Sequence, residues 1–258
     1  TSSSNPSDGN GGGNITSLDP MIKPNVTSWR YINVSNIYQV GLKLSAVGNR
    51  YGFSEKMNSH AMRNDEWGAV AYLSQSRYGK LGNENFKGAN KEVYQNKSNS
   101  YITGCSYGAP SNGNTDYGCK YTYDANINGI GASTTGTIYG IYDMSGGAVE
   151  FVMGNYNDII GASGFISMPE SKYYDKYTST DTLKACNGSK CLSHGLSETS
   201  GWYNDFSRFI FSFYSWMIRG IYGGPAVDHK AGVFRFNYTD GLIQPSRTFR
   251  LVVSVISP

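Results

Sequence analysis

The side chains with the widest chemical reach in this sequence are four cysteines and three histidines. The cysteines fall in two close pairs, Cys105 with Cys119 and Cys186 with Cys191. Thiols placed this way form disulfides, hold zinc or act as nucleophiles. Four cysteines allow three pairings. Local pairing closes the smallest loops, and each pair brackets a Gly/Asn/Ser-rich segment that needs a staple. Zinc would call for two short CxxC-type spacings, and these gaps are irregular. The sequence therefore favours two structural disulfides and no metal. His60, His194 and His229 are far apart along the chain, and each reads as a surface or polar-core residue. Only the Asp228–His229 neighbours put an acid beside an imidazole in the C-terminal region. No Gly-x-Ser-x-Gly elbow, P-loop or dinucleotide fingerprint occurs.

Composition narrows the function classes further. The chain holds 32 Gly and 21 Tyr, and only 16% of its residues are charged. Such a surface meets water through hydroxyls and amides, as extracellular recognition surfaces do. The net charge is +3, with basic residues scattered, so nucleic acid is not an expected partner. No run approaches the ~18 apolar residues of a membrane span. Residues 1–14 lack the charged and apolar regions of a signal peptide and read as part of a flexible linker over 1–20.

The elements that would position a site are few. Residues 33–47 read as a helix with Ile37, Val40 and Leu44 on one face, Asn33 or Ser35 as cap and Gly48 as its end. A second helix is expected over 65–77, capped by Asn64 and stopped by Gly79, with Trp67, Val70, Ala71 and Ser74 inward. Residues 78–137 read as long loops tied by Cys105–Cys119. Strands are expected at 138–144, 149–153, 217–219, 233–236 and 249–256, the last as a buried central strand.

The segment TIYGIYDMSGGAVEF at 137–151 resembles the "GLYDMxGNVWEW" signature of the formylglycine-generating enzyme family, a branch of the C-type-lectin-like folds. Other pieces follow in that family's order: WGAVAY at 67–72, RGIY at 219–222, AGVFRF at 231–236 and FRLV at 249–252. The resemblance covers about residues 35–254. It implies an α+β, C-type-lectin-like domain over 21–258, loop-rich, with small twisted antiparallel sheets and two helices. Asp143 would accept backbone N–H groups in a tight turn, and Glu150 and Arg250 would form a buried or half-buried ion pair. The family's oxidation needs a cysteine pair just after the "RGGSW" segment. Here Tyr222 is followed by Gly223, Gly224, Pro225 and Ala226, so no enzyme activity of that kind is expected. No cofactor is expected either. A structural calcium ion suits the loops of this fold, although no ligand set stands out.

The layout of residues 202–247 is similar to the variable proteins of diversity-generating retroelements, found in phages and gut bacteria, which use the same scaffold. In those proteins, rewritten codons near the gene's 3′ end cluster their side chains on one exposed face. The matching positions here are Phe209, Phe211, Phe213, Met217, Ile218, Ile221, Tyr222, Val227, Asp228, His229, Arg235, Asn237, Tyr238, Thr239, Leu242 and Gln244. The resemblance implies an extracellular protein, displayed on a cell surface or phage particle, that binds a protein or glycan ligand. A fixed adhesin without diversification, or a degenerate enzyme of the formylglycine-generating type, would share much of this pattern.

Overall fold

A computed structural model describes residues 13–86, 92–108, 118–179, 181, 199–220 and 231–255. The central element is β4 (Val149–Tyr156), an almost fully buried strand. Antiparallel to it runs β6 (Trp216–Arg219), which in turn pairs with β7 (Phe236–Thr239). Two short strands lie parallel to the other edge of β4: β5 (Asp175–Tyr177) along one end and β8 (Arg247–Phe249) along the other. The result is a five-stranded mixed sheet. Two smaller antiparallel pairs flank it, β1 (Met57–Ala61) with β9 (Leu251–Val255) and β2 (Cys105–Ser106) with β3 (Tyr121–Thr122).

Alternation along β4 and β6 decides the packing. Val149, Phe151 and Met153 join Trp216 and Ile218 on one face, against Trp29 and Ile37. Val152 and Met217 point to the other face, against Trp67, Phe234 and Phe236. Both faces of the sheet are therefore covered. The first is closed by α1 (Val34–Leu42), whose Ile37 and Val40 are buried. Gly41 lets α1 approach β1, because a Cβ there would lie 2.7 Å from the Ala61 nitrogen. The second face is closed by α2 (Asn64–Ser74), whose Trp67, Ala71 and Ser74 point inward as expected and whose Val70 is half-buried. The Trp67 indole donates to the Val233 carbonyl at 2.8 Å. The fold is thus α+β, with few helices and small sheets.

Helix limits follow local capping. Asn33 accepts the Asn36 N–H at 2.9 Å, so α1 starts where the cap was expected. It ends at Leu42, and a 3₁₀ turn at Lys43–Ser45 carries the chain on, so the helix is shorter than the apolar spacing implied. The cap of α2 is Arg63, one residue earlier than expected, because Glu66 reaches back to the Arg63 N–H at 2.8 Å. Replacing Asn33 with alanine should cost about 1 kcal/mol of stability in urea unfolding. The Asn33 backbone N–H also donates to Asn14 Oδ1 at 2.9 Å, a contact that survives the change.

Three strand expectations are corrected. Residues 138–144 are turns and irregular backbone, because Asp143 takes a left-handed φ of 63° and Gly146 and Gly147 take φ of 91° and 74°. The strand expected at 233–236 begins only at Phe236, after a turn at 233–234. The C-terminal strand is not central: among the described residues β9 pairs with β1 alone, and its Ser254 and Val255 are exposed. Its apolar run is explained by the half-buried Leu251 and Val252, which pack against opposite core clusters.

Cys105 and Cys119 form a disulfide beside the β2–β3 pair. Cys186 and Cys191 lie outside the described residues. The linker reading of residues 1–20 does not extend through 13–20. Asn14 hydrogen-bonds Asn33 and Asn36, the Gly13 carbonyl accepts the Trp29 indole N–H at 3.0 Å, and Leu18 packs on the core.

Candidate binding face

A tight turn at the edge of the sheet carries the aromatic residues singled out from sequence. The Phe211 N–H donates to the Tyr214 carbonyl at 3.1 Å, which puts Ser212 and Phe213 at the tip. Phe213 is 73% exposed and Phe211 39%. Tyr238 on β7 joins them: its ring stacks on Tyr214 at 4.8 Å and meets the edge of Phe211 at 5.2 Å. Phe213 packs edge-on to Tyr214 at 4.9 Å. Arg208, also exposed, donates to the Tyr238 hydroxyl at 3.2 Å. Four rings and one guanidinium thus form a preassembled surface cluster. Tyr214 and Arg208 were not among the expected site residues. The alternation that led to Phe211 and Phe213 places Tyr214 on the opposite side, and only the turn brings it round.

The other expected positions divide. Phe209, Met217, Ile218 and Arg235 are buried, at 8%, 0%, 3% and 0% exposure. They are core residues and do not belong to an exposed face: Met217 and Ile218 lie on β6, between β4 and β7 with both its faces covered, and Phe209 packs on Phe236 in the second core cluster. Asn237 and Thr239 are also buried, on β7. Tyr238 is half-buried, Leu242 is exposed, and Gln244 is half-buried in the turn before β8. Ile221, Tyr222, Val227, Asp228 and His229 lie outside the described residues.

A second exposed aromatic group surrounds the turn at Trp202–Asn204, where Tyr203 and Asn204 take left-handed φ of 56° and 65°. Trp202 and Tyr203 pack on the buried Phe234, at 5.1 and 5.9 Å, and Tyr72 of α2 meets both Trp202 and Phe234. Beneath it Asp205 accepts the Phe234 N–H at 3.0 Å, and burial pushes its carboxyl up to about 8.

A concave feature lies elsewhere. A cavity of about 770 Å³ opens between residues 20–24, α2, the 101–104 turn and the start of β9. At its base lies the expected ion pair: Arg250 Nη2 and Nε meet the two oxygens of Glu150 at 2.6 and 3.0 Å. Burial raises the Glu150 carboxyl to about 7, against the lowering effect of Arg250. Asp143 accepts Asn96 Nδ2 at 2.7 Å and the Gly104 N–H at 2.9 Å, the role expected of it. His60 is buried and bonded to Glu66 at 2.8 Å. Among the described residues no group of three or more His, Cys, Asp or Glu is arranged to hold a metal ion, and no helix is long and apolar enough to cross a membrane.

No protein-family model matches this sequence, and no similar protein emerges among curated ones.

Proposed function

We propose that this chain is an extracellular, surface-displayed ligand-binding protein on a C-type-lectin-like scaffold of the formylglycine-generating-enzyme type. Its C-terminal face would be diversified as in retroelement variable proteins, and it would carry out no catalysis. The observation that carries this reading is the exposed cluster of Phe211, Phe213, Tyr214 and Tyr238 on a turn anchored to the sheet. Clustered, rigid aromatic rings beside an arginine supply most of the energy at protein recognition sites. Holding them on a sheet edge keeps the entropy lost on binding small. The Cys105–Cys119 disulfide fits an oxidising location. A protein or glycan on a cell or phage surface is the ligand class that suits such a face.

The test is to sequence the coding locus and its flanking DNA from several sister isolates. Differences should fall at the surface positions Phe211, Phe213, Tyr238, Leu242 and Gln244 and within residues 221–230, with a near-copy of the 3′ end and a reverse transcriptase gene nearby. Met217, Ile218, Phe209 and Arg235 should stay fixed or change only to residues of like volume, since each fills the core. An invariant 3′ end with no template copy would overturn diversification and leave a fixed adhesin. A stoichiometric transition metal on the purified protein would overturn the absence of catalysis.

A further inference from the structure

We propose that the cavity beside β9 is a second binding site, distinct from the aromatic face, for an ammonium group carried on an apolar body. A volume of about 770 Å³ is in the range of small-molecule sites. The exposed side chains of Ile22, Ile138 and Ile141 stand among its lining residues, where water-facing isoleucines gain from apolar cover. The rings of Trp29, Tyr101, Tyr123 and Tyr142 also line it.

Charge sets the sign of the ligand. Three ionisable groups converge at the base: Asp143, Glu150 and Arg250. Arg250 is committed to Glu150 through two nitrogens, and its Nη2 also donates to the Tyr142 carbonyl at 2.9 Å. The hydrogen bonds to Asp143 among the described residues come from amide N–H groups, and Arg250 acts on it only through space. Among the described residues its Oδ1 accepts from Asn96 and Gly104, while Oδ2 accepts from Gly104 alone, which leaves a lone pair for another donor. Among the described residues no basic side chain lies within ion-pair distance of Asp143. The remaining charged lining residues do not change this balance. Glu66 is bound by His60 and Arg63, and Lys23 is exposed to solvent at the rim. The buried base therefore holds one more acid than base, and burial pushes both carboxyls up. An ammonium ion donating to Oδ2 would favour the ionised form of Asp143. Aromatic walls favour the same cation through their ring faces. A carboxylate ligand would meet two acids and a single base already committed to Glu150.

Titration calorimetry on the full chain with phenylbutylamine, phenylbutanol and phenylbutyrate tests this. These probes share one apolar body and differ in charge. The amine should bind saturably at one site, about tenfold or more tighter than the alcohol, with the acid not binding. Asp143→Asn should weaken the amine about tenfold and leave the alcohol unchanged, since asparagine keeps an acceptor for Gly104 and tolerates a left-handed φ. Should that variant fail to fold, Ile141→Trp at the exposed mouth should abolish binding of amine and alcohol alike. Phe213→Ser should change neither, which separates this site from the aromatic face. Equal binding of amine and alcohol, no amine binding to the unmodified chain, or loss of the amine in Phe213→Ser would each overturn the proposal.

Discussion

Arg250→Ala should destabilise the protein by about 3–5 kcal/mol, the range for removing one partner of a buried ion pair. Glu150 is 3% exposed and has its two oxygens engaged by Arg250 at 2.6 and 3.0 Å. Without the guanidinium, a carboxylate would be left in an apolar setting, and its protonation would relieve only part of the cost. The change also frees the Tyr142 carbonyl, which accepts from Arg250 Nη2, and removes the cation lying 5.8 Å from the Trp67 ring centre. Arg250→Lys should recover little, since a single ammonium cannot span both oxygens. The double change Glu150→Gln with Arg250→Met should recover at least half of the loss. It replaces a stranded charge by a neutral amide and a methionine of similar reach. Urea unfolding is the measurement, with the midpoint falling at an unchanged denaturant slope. A loss under about 1 kcal/mol for Arg250→Ala would mean that the pair is water-screened and that the β4–β9 junction is held by packing alone.

Stability should fall as pH rises, by about 2–4 kcal/mol between pH 5 and 8, with Asp205 as the largest single contributor. Burial raises its carboxyl from the ordinary value of 3.8 to about 8, while the Phe234 N–H pulls the other way. Between those limits the folded protein holds a proton that the unfolded chain has released. Folding is therefore favoured at low pH, fully so below about 4, and this contribution is lost as pH passes through about 8. Glu150, raised to about 7, and Asp175, raised to about 6, tilt the profile in the same direction, while Lys80, lowered to about 7 by burial, opposes them above that pH without reversing the net fall. Asp205→Asn isolates the group: asparagine still accepts from Phe234, and the slope above pH 6 should flatten markedly. Gly232 approaches so closely that a Cβ there would lie 1.9 Å from Asp205 Oδ1, so position 232 has no room for a side chain while Asp205 keeps its place. Urea unfolding of both proteins at several pH values decides it. A wild-type profile flat from pH 5 to 8 would show Asp205 to be ionised throughout and paired more strongly than its surroundings suggest.

Much of the frame was legible in the sequence because it rests on local rules. The caps and apolar spacing placed α1 and α2 to within a few residues. Short apolar, strand-like runs between turns located β4 and β6. Proximity along the chain pointed to Cys105–Cys119, and the resemblance pointed to the Glu150–Arg250 pair and the turn role of Asp143. The 138–144 and 249–256 strands were misjudged for different reasons. Left-handed φ at Asp143 kept the first from forming a strand, while the second did form one, and its apolar run carried no mark of whether it would lie at the centre of a sheet or pair with β1.

The exposed aromatic surface was decided by tertiary structure. Sequence alternation splits β6 and β7 into two sides, but which side meets water depends on what the rest of the chain lays over each. Here α1 and Trp29 cover one side, and α2 with Phe234 covers the other. Met217, Ile218 and Phe209 therefore lie in the core, while the turn after Ile210 lifts Phe211 and Phe213 clear of it. Tyr214 and Arg208 join the face, and the cavity over Asp143 forms, only through contacts between segments far apart in the chain. Local propensity records what a residue can be; burial is set by neighbours that the sequence brings from a distance.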